Sequence, residues 1–124
     1  MCVSVRAYGV GQDLGNGATE ATITSHGVVF GMTRAMFSPT SETTTSLSFD
    51  GPIVFTPQLS SVGTLTAQVT GGFDLVTGEF HASSTSITGT GLLGHVGGHI
   101  SIAGTENLTT GSFTEKLRGT LCVS

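Results

Sequence analysis

The chain has 124 residues, of which 10 % are charged, with four Lys or Arg against eight Asp or Glu and a net charge of −4. That length suits one domain over 1–124 with a core of its own, and so few cations leave no basic stripe to neutralise phosphates, so nucleic acid is not an expected partner. No window approaches the roughly 18 unbroken apolar residues of a membrane-spanning helix, and Val, Ile, Leu and Phe spaced regularly among 19 glycines argue for a folded chain rather than a disordered one.

In "CVSVRAYG" near the start, Val3, Val5 and Ala7 alternate with Ser4, Arg6 and Tyr8, the period of a strand with one buried face. The same segment lacks a charged start followed by an apolar run, so it does not read as a signal peptide. The expected location is secreted or extracytoplasmic, with a leader already lost and Met1 in its place, although composition leaves a cytoplasmic location open. Strands are predicted next at 19–26 and 28–37. The hydroxyl-rich run "SPTSETTTSLSF" at 38–49 contains a strand over 43–49, either a plain exposed strand or an edge able to contact carbohydrate. A strand at 52–57 precedes "VGTLTAQVTGGF", where Leu65, Ala67 and Val69 alternate with Thr64, Thr66, Gln68 and Thr70. Strands at 79–88, 97–104 and 112–122 complete the set, and recurrent Gly, Thr, Val and Ile nearly exclude helix.

Two segments resemble each other, "DLVTGEF" at 74–80 and "NLTTGSF" at 107–113. Each opens on Asp or Asn, whose side chain can bond the backbone ahead, and closes on Gly, which accepts the left-handed conformation; both are predicted to be β-hairpin turns. Asn107-Leu108-Thr109 also fits a short glycosylation pattern. Cys2 and Cys122 stand near the two ends and on the polar faces of their strands. If the first and last strands pair, these residues lie opposite each other as the sheet closes, and a bond between them is worth about 4–5 kcal/mol on the loop-entropy model; the alternative is a pair of reduced thiols. The fold expected is all-β, an antiparallel barrel of about eight or nine short strands, with a Greek-key sandwich as the other candidate.

The glycine-punctuated strands, near-absent helix and "TGEF"/"TGSF" hairpins resemble the small closed barrels of the calycin and allene oxide cyclase type. The resemblance implies a barrel with a lumen for a small molecule and, by the cyclase branch, cofactor-independent isomerase or cyclase chemistry. The chain departs from lipocalins and avidins in having no tryptophan, so no site residue is carried over from those families.

"HVGGH" at 95–99 places two histidines four apart, but Gly97 and Gly98 oppose a helix that would bring them to one face. A bend at the glycines with two solvated histidines is expected, with no metal and no cofactor; the same goes for His81, placed outward beside Glu79. Neither a "GxSxG" motif nor a phosphate-cradling loop occurs. More informative are charges on apolar faces. Glu115 shares a face with Phe113, Leu117 and Leu121, and Arg34 shares one with Val28, Phe30, Met32 and Met36. An inward acid and an inward base invite pairing, because an isolated buried charge is costly. The functional expectation makes Glu115 and Arg34 catalytic groups in a lumen lined by Phe30, Met32, Met36, Phe73, Phe80 and Phe113. The structural alternatives are a buried ion pair, or a bulge at Gly31 or Gly119 that turns one side chain outward. Three function classes follow: a lumen binding an apolar or mixed small molecule with isomerase or cyclase activity; a non-catalytic secreted binding module; and a structural subunit with a filled barrel. A small-molecule ligand is the expected partner, and an exposed strand edge would permit a homodimer.

Overall fold

The computed structural model describes residues 1–123. Among these, nine antiparallel strands form one sheet: β1 (Cys2–Gly15), β2 (Ala18–Ser25), β3 (Val28–Met36), β4 (Ser38–Glu42), β5 (Ser46–Pro57), β6 (Leu65–Asp74), β7 (Glu79–Gly89), β8 (Val96–Glu106) and β9 (Ser112–Val123). The order β3-β2-β1-β9-β8-β7-β6-β5 closes on itself through a β3–β5 ladder, so eight strands make a barrel and β4 is an extra strand on β5. The architecture is therefore the predicted antiparallel barrel, consistent with a calycin-like fold, and not a sandwich. Among the described residues, no helix is long and apolar enough to cross a membrane.

The terminal strands pair along one long ladder, from Cys2 opposite Cys122 to Gln12 opposite Ser112. The two cysteines form a disulfide across that ladder, with an S–S distance of 2.06 Å, a bond compatible with an extracellular location. Both predicted hairpins are present and share one geometry. Asp74 Oδ1 accepts from the backbone N–H groups of Val76 and Thr77 at 2.8 and 2.9 Å, and Asn107 Oδ1 accepts from those of Thr109 and Thr110 at 2.9 and 3.1 Å. Gly78 and Gly111 then close their turns at φ 81° and 79°.

Two strand boundaries differ from expectation. The segments predicted at 43–49 and 52–57 are one strand, β5, and the preceding 38–42 forms β4. On one edge β5 pairs with β4 up to Asp50 and with β3 from Ile53 onward, so Gly51 and Pro52 fall between the two ladders, where a proline lacking its N–H interrupts no pairing on that edge. The bend expected in "HVGGH" lies earlier, at Gly94 and His95, and Val96 to His99 already belong to β8.

The interior is built from unlike neighbours. Six of the seven phenylalanines point inward, into two adjoining clusters, one centred on Ala7, Ala21, Ile23 and Phe113 and the other on Val69, Ala82, Ile100 and Ile102. Five large inward groups each lie over a glycine of a neighbouring strand: Phe113 over Gly11, Phe80 over Gly104, Phe49 over Gly71, Phe55 over Gly31 and Glu115 over Gly9. A Cβ at any of these glycines would collide with the side chain above it. An eight-stranded barrel has an interior only wide enough for its own side chains or one small ligand, and here rings stack to fill it, Phe73 on Phe80 at 6.3 Å and Phe80 edge-on to Phe113 at 5.8 Å.

Gly11→Ala is expected to destabilise by about 1–3 kcal/mol, since its Cβ meets both the Phe113 ring and the backbone carbonyl of Glu20. Gly97→Ala, at a glycine with open space around it, is expected to be neutral or to stabilise by up to about 1 kcal/mol. Denaturant unfolding of the two variants checks the contrast.

Candidate functional site

The structure separates the two charges that the sequence placed together. Glu115 faces inward as expected, on the same side of β9 as Phe113, Leu117 and Leu121. Arg34 does not: its side chain is 82 % exposed and pairs at 3.8 Å with Glu20 on the outer surface. The rest of its face follows it. Phe30, Met32 and Met36 are 52 %, 47 % and 56 % exposed and line no interior, and the inward residues of β3 are Gly31, Thr33 and Ala35. Alternation correctly grouped these side chains, but the barrel turns the small residues inward to make room for Phe55, which lies over Gly31. Of the predicted lining, Phe73, Phe80 and Phe113 are brought together inside.

Glu115 is held by its neighbours on both sides. Its register partners are Gly9 on β1 and Gly104 on β8, and the carboxylate fills the space that the missing Gly9 side chain leaves. Burial without a cationic partner pushes its pKa up to about 7. Nearer the barrel end, Glu106 is also raised to about 7, first by burial and then by the charge of Asp13 and a hydrogen bond with it. No group of three or more His, Cys, Asp or Glu among the described residues could hold a metal ion.

A broad concavity lies elsewhere. It measures about 900 Å³ and crosses β5, β6, β7, β8 and β9 to Tyr8 of β1. Its walls are two rows of outward side chains. One row is Ser48, Gly72, His81, Ala103, Lys116 and Tyr8, each opposite the next in the ladder. The second contains Ser46, Asp74, Glu79, Thr105 and Thr114. Between the rows the concavity is also lined by Leu47, Gly71, Phe73, Phe80, Gly104 and Glu115, which alternate with the outward residues along their strands. The groove has room because Gly72 and Ala103 carry little or no side chain, and the His81 ring leans over Gly72.

Charge is distributed unevenly along it. At the β9–β1 end, Tyr8 is 48 % exposed, and the Arg118 guanidinium stands 5.6 Å from its ring centre. Lys116, in the lining, is opposite Tyr8, and Arg6 is directly opposite Arg118 just beyond the lining. Farther along lie Glu79 on β7 and Asp74 on β6; hydrogen bonds from the Thr77 and Val76 backbone lower the Asp74 pKa below its ordinary 3.8.

No known protein family matches this chain, and no curated protein matches its sequence. The site is therefore argued from its geometry alone. The outward row was legible in part, because alternation already placed Arg6, Tyr8, Lys116, Arg118 and His81 outside. Counting inward from a Cys2–Cys122 pair sets Arg6 against Arg118 and Tyr8 against Lys116. The depression at Gly72 and Ala103 carried no signal of its own.

The raised carboxyls set a pH dependence. With a folded pKa of about 7 against an ordinary 4.5, the native state holds protons that the unfolded chain releases, so stability is greatest below about pH 4.5 and falls as pH rises through 7. Glu115→Gln is expected to match the parent at pH 4 and to exceed it by on the order of 1–3 kcal/mol at pH 8. A smaller slope from Glu106 should remain, and urea unfolding at the two pH values checks both.

Proposed function

We propose that this barrel is a non-catalytic binding module that takes its ligand in the outer groove crossing β5 to β9 and ending at Tyr8. The observation that carries the reading is the contrast between the two sides of one sheet. Inside, phenylalanine rings occupy the space a lumen ligand would need. Outside, a concavity of about 900 Å³, within the range of small-molecule sites, is lined by hydroxyls, an imidazole, an aromatic ring and both signs of charge. Polar groups of that variety fix orientation, and the rigid sheet beneath keeps the site preformed, which lowers the ordering cost of binding. Secretion fits the reading, since a binding module stapled by a disulfide keeps its form in an oxidising compartment.

The test is an NMR titration with a panel of mono- and oligosaccharides and aromatic acids. Shifts are expected at the amides of Ala103, Thr105, Thr114 and Lys116, and Ala103→Trp, which fills the groove from outside, should abolish them while leaving Tm within a few degrees. Shifts confined to inward side chains such as Phe80 and Phe113 would overturn the groove in favour of the lumen.

One observation favours a second reading, the isomerase or cyclase of the resemblance. Glu115 carries a pKa of about 7 beside Phe80 and Phe113, the range in which a carboxyl both gives and takes a proton at neutral pH. A ligand would have to part the rings to reach it, and Arg34, on the outer surface, would take no part. On this reading Glu115→Gln removes turnover of an apolar substrate while sparing its binding; equal turnover by the variant excludes it.

A further inference from the structure

Three of the four Lys and Arg side chains of this anionic protein stand on one small part of the barrel wall: Arg6, Lys116 and Arg118, on β1 and β9. The fourth, Arg34, is paired with Glu20 at 3.8 Å. Arg6 and Arg118 are direct cross-strand partners, and Lys116 is one outward step along β9 from Arg118. Like charges placed directly opposite in a sheet repel and destabilise it, and eight acids elsewhere in the chain could have been set against them. An uncompensated cationic cluster of this kind is a ready site for an external anion, and guanidinium groups suit the planar oxygens of a carboxylate.

The surroundings narrow the anion. Tyr8 lies in the same outward patch with its ring half exposed and Arg118 against it, a flat apolar surface beside a positive charge. From there the groove continues past Thr114, Thr105 and His81, which can donate and accept hydrogen bonds, to the carboxylates of Glu79 on β7 and Asp74 on β6. That acidic stretch accepts hydrogen bonds from hydroxyls and repels a second negative charge. A uniform polyanion is therefore a poor fit along the groove. A ligand negative at one end and rich in hydroxyls along the rest fits throughout.

We infer that the groove binds an acidic saccharide, with one uronic carboxylate held by Arg6, Lys116 and Arg118, its pyranose ring against Tyr8, and neutral sugar units running toward Glu79. This rests on the groove being the binding site, and it adds the class of ligand. In antiparallel sheets neighbouring strands are about 4.8 Å apart, so the three intervals from β1 to β7, where Glu79 stands, span roughly 14 Å and the five to β5 roughly 24 Å, enough for a short oligosaccharide.

The test uses a xylo-oligosaccharide carrying one glucuronic acid and the same oligosaccharide with that carboxyl reduced to an alcohol, titrated calorimetrically into the whole chain. The acid form is expected to bind about tenfold or more tightly at about 20 mM salt, with the advantage shrinking several-fold at about 300 mM. Arg118→Gln and Lys116→Gln should each erase the preference for the acid form. Because these substitutions relieve repulsion, the Tm at low salt should not fall, which separates loss of a ligand contact from loss of fold. Equal binding of the two forms overturns the charge assignment and leaves the groove standing. Binding of neither overturns the saccharide, and the groove is then judged by the amide shifts of its own titration. Tight binding of a polysulfated chain that survives Tyr8→Ala, with no preference between the two forms, marks a diffuse polyanion surface and overturns the inference.

Discussion

Within this barrel, bulk on one strand is matched by absence on the next. Gly9, Gly11, Gly31, Gly71 and Gly104 face inward, and each lies beneath a ring or a carboxyl of an adjacent strand. Eight strands enclose too little volume for large side chains at every inward position, so a close-packed interior requires large and small to alternate across the ladder as well as along it. Burying Phe49, Phe55, Phe80 and Phe113 contributes on the order of 2–3 kcal/mol each, a gain that depends on the glycine beneath each ring. The abundance of glycine, which as composition suggests looseness, is thus a condition of dense packing.

That constraint decides what the two faces of the sheet can do. In an interior packed with interlocking rings, Glu115 sits in a slot between two glycines with no cation beside it. Its raised pKa is the electrostatic consequence of the packing solution. The chemistry of recognition moves to the other face, where the same strands present Thr, Ser, His, Lys and Tyr, and where a glycine and an alanine, Gly72 and Ala103, leave a depression. Small residues serve opposite ends on the two sides: inside they make room for the protein's own rings, and outside they leave space unfilled.

How far sequence could see into this arrangement follows from what alternation encodes. It groups residues by face, and the strand positions, the paired Asx-Gly hairpins, the inward Glu115 and the opposed cysteines all follow from that grouping and from turn chemistry. It does not say which face is inside. On β9 the apolar set is the inner one; on β3 the apolar set, Phe30, Met32 and Met36, is outside, and the interior receives Gly31, Thr33 and Ala35. That inversion is settled by Phe55 from a strand more than twenty residues away, a tertiary fact that no local pattern contains. The same limit explains "HVGGH", whose glycines serve an extended strand because Gly98 passes close to the Thr120 carbonyl.

The disulfide links the fold to the surface proposed for binding. Side chains in a ladder change face with a one-residue slip, and in the β1–β9 pairing such a slip would part Arg6 from Arg118 and turn Tyr8 away from Lys116. Repulsion among the three cations favours separation of those two strands, which include both terminal segments of the barrel and would otherwise be the first to fray. The Cys2–Cys122 bond closes the same ladder four residues from the Arg6–Arg118 pair. A covalent staple at that point holds the register against the charge it brings together, so a cluster that weakens the sheet can persist as a preformed site for an anion.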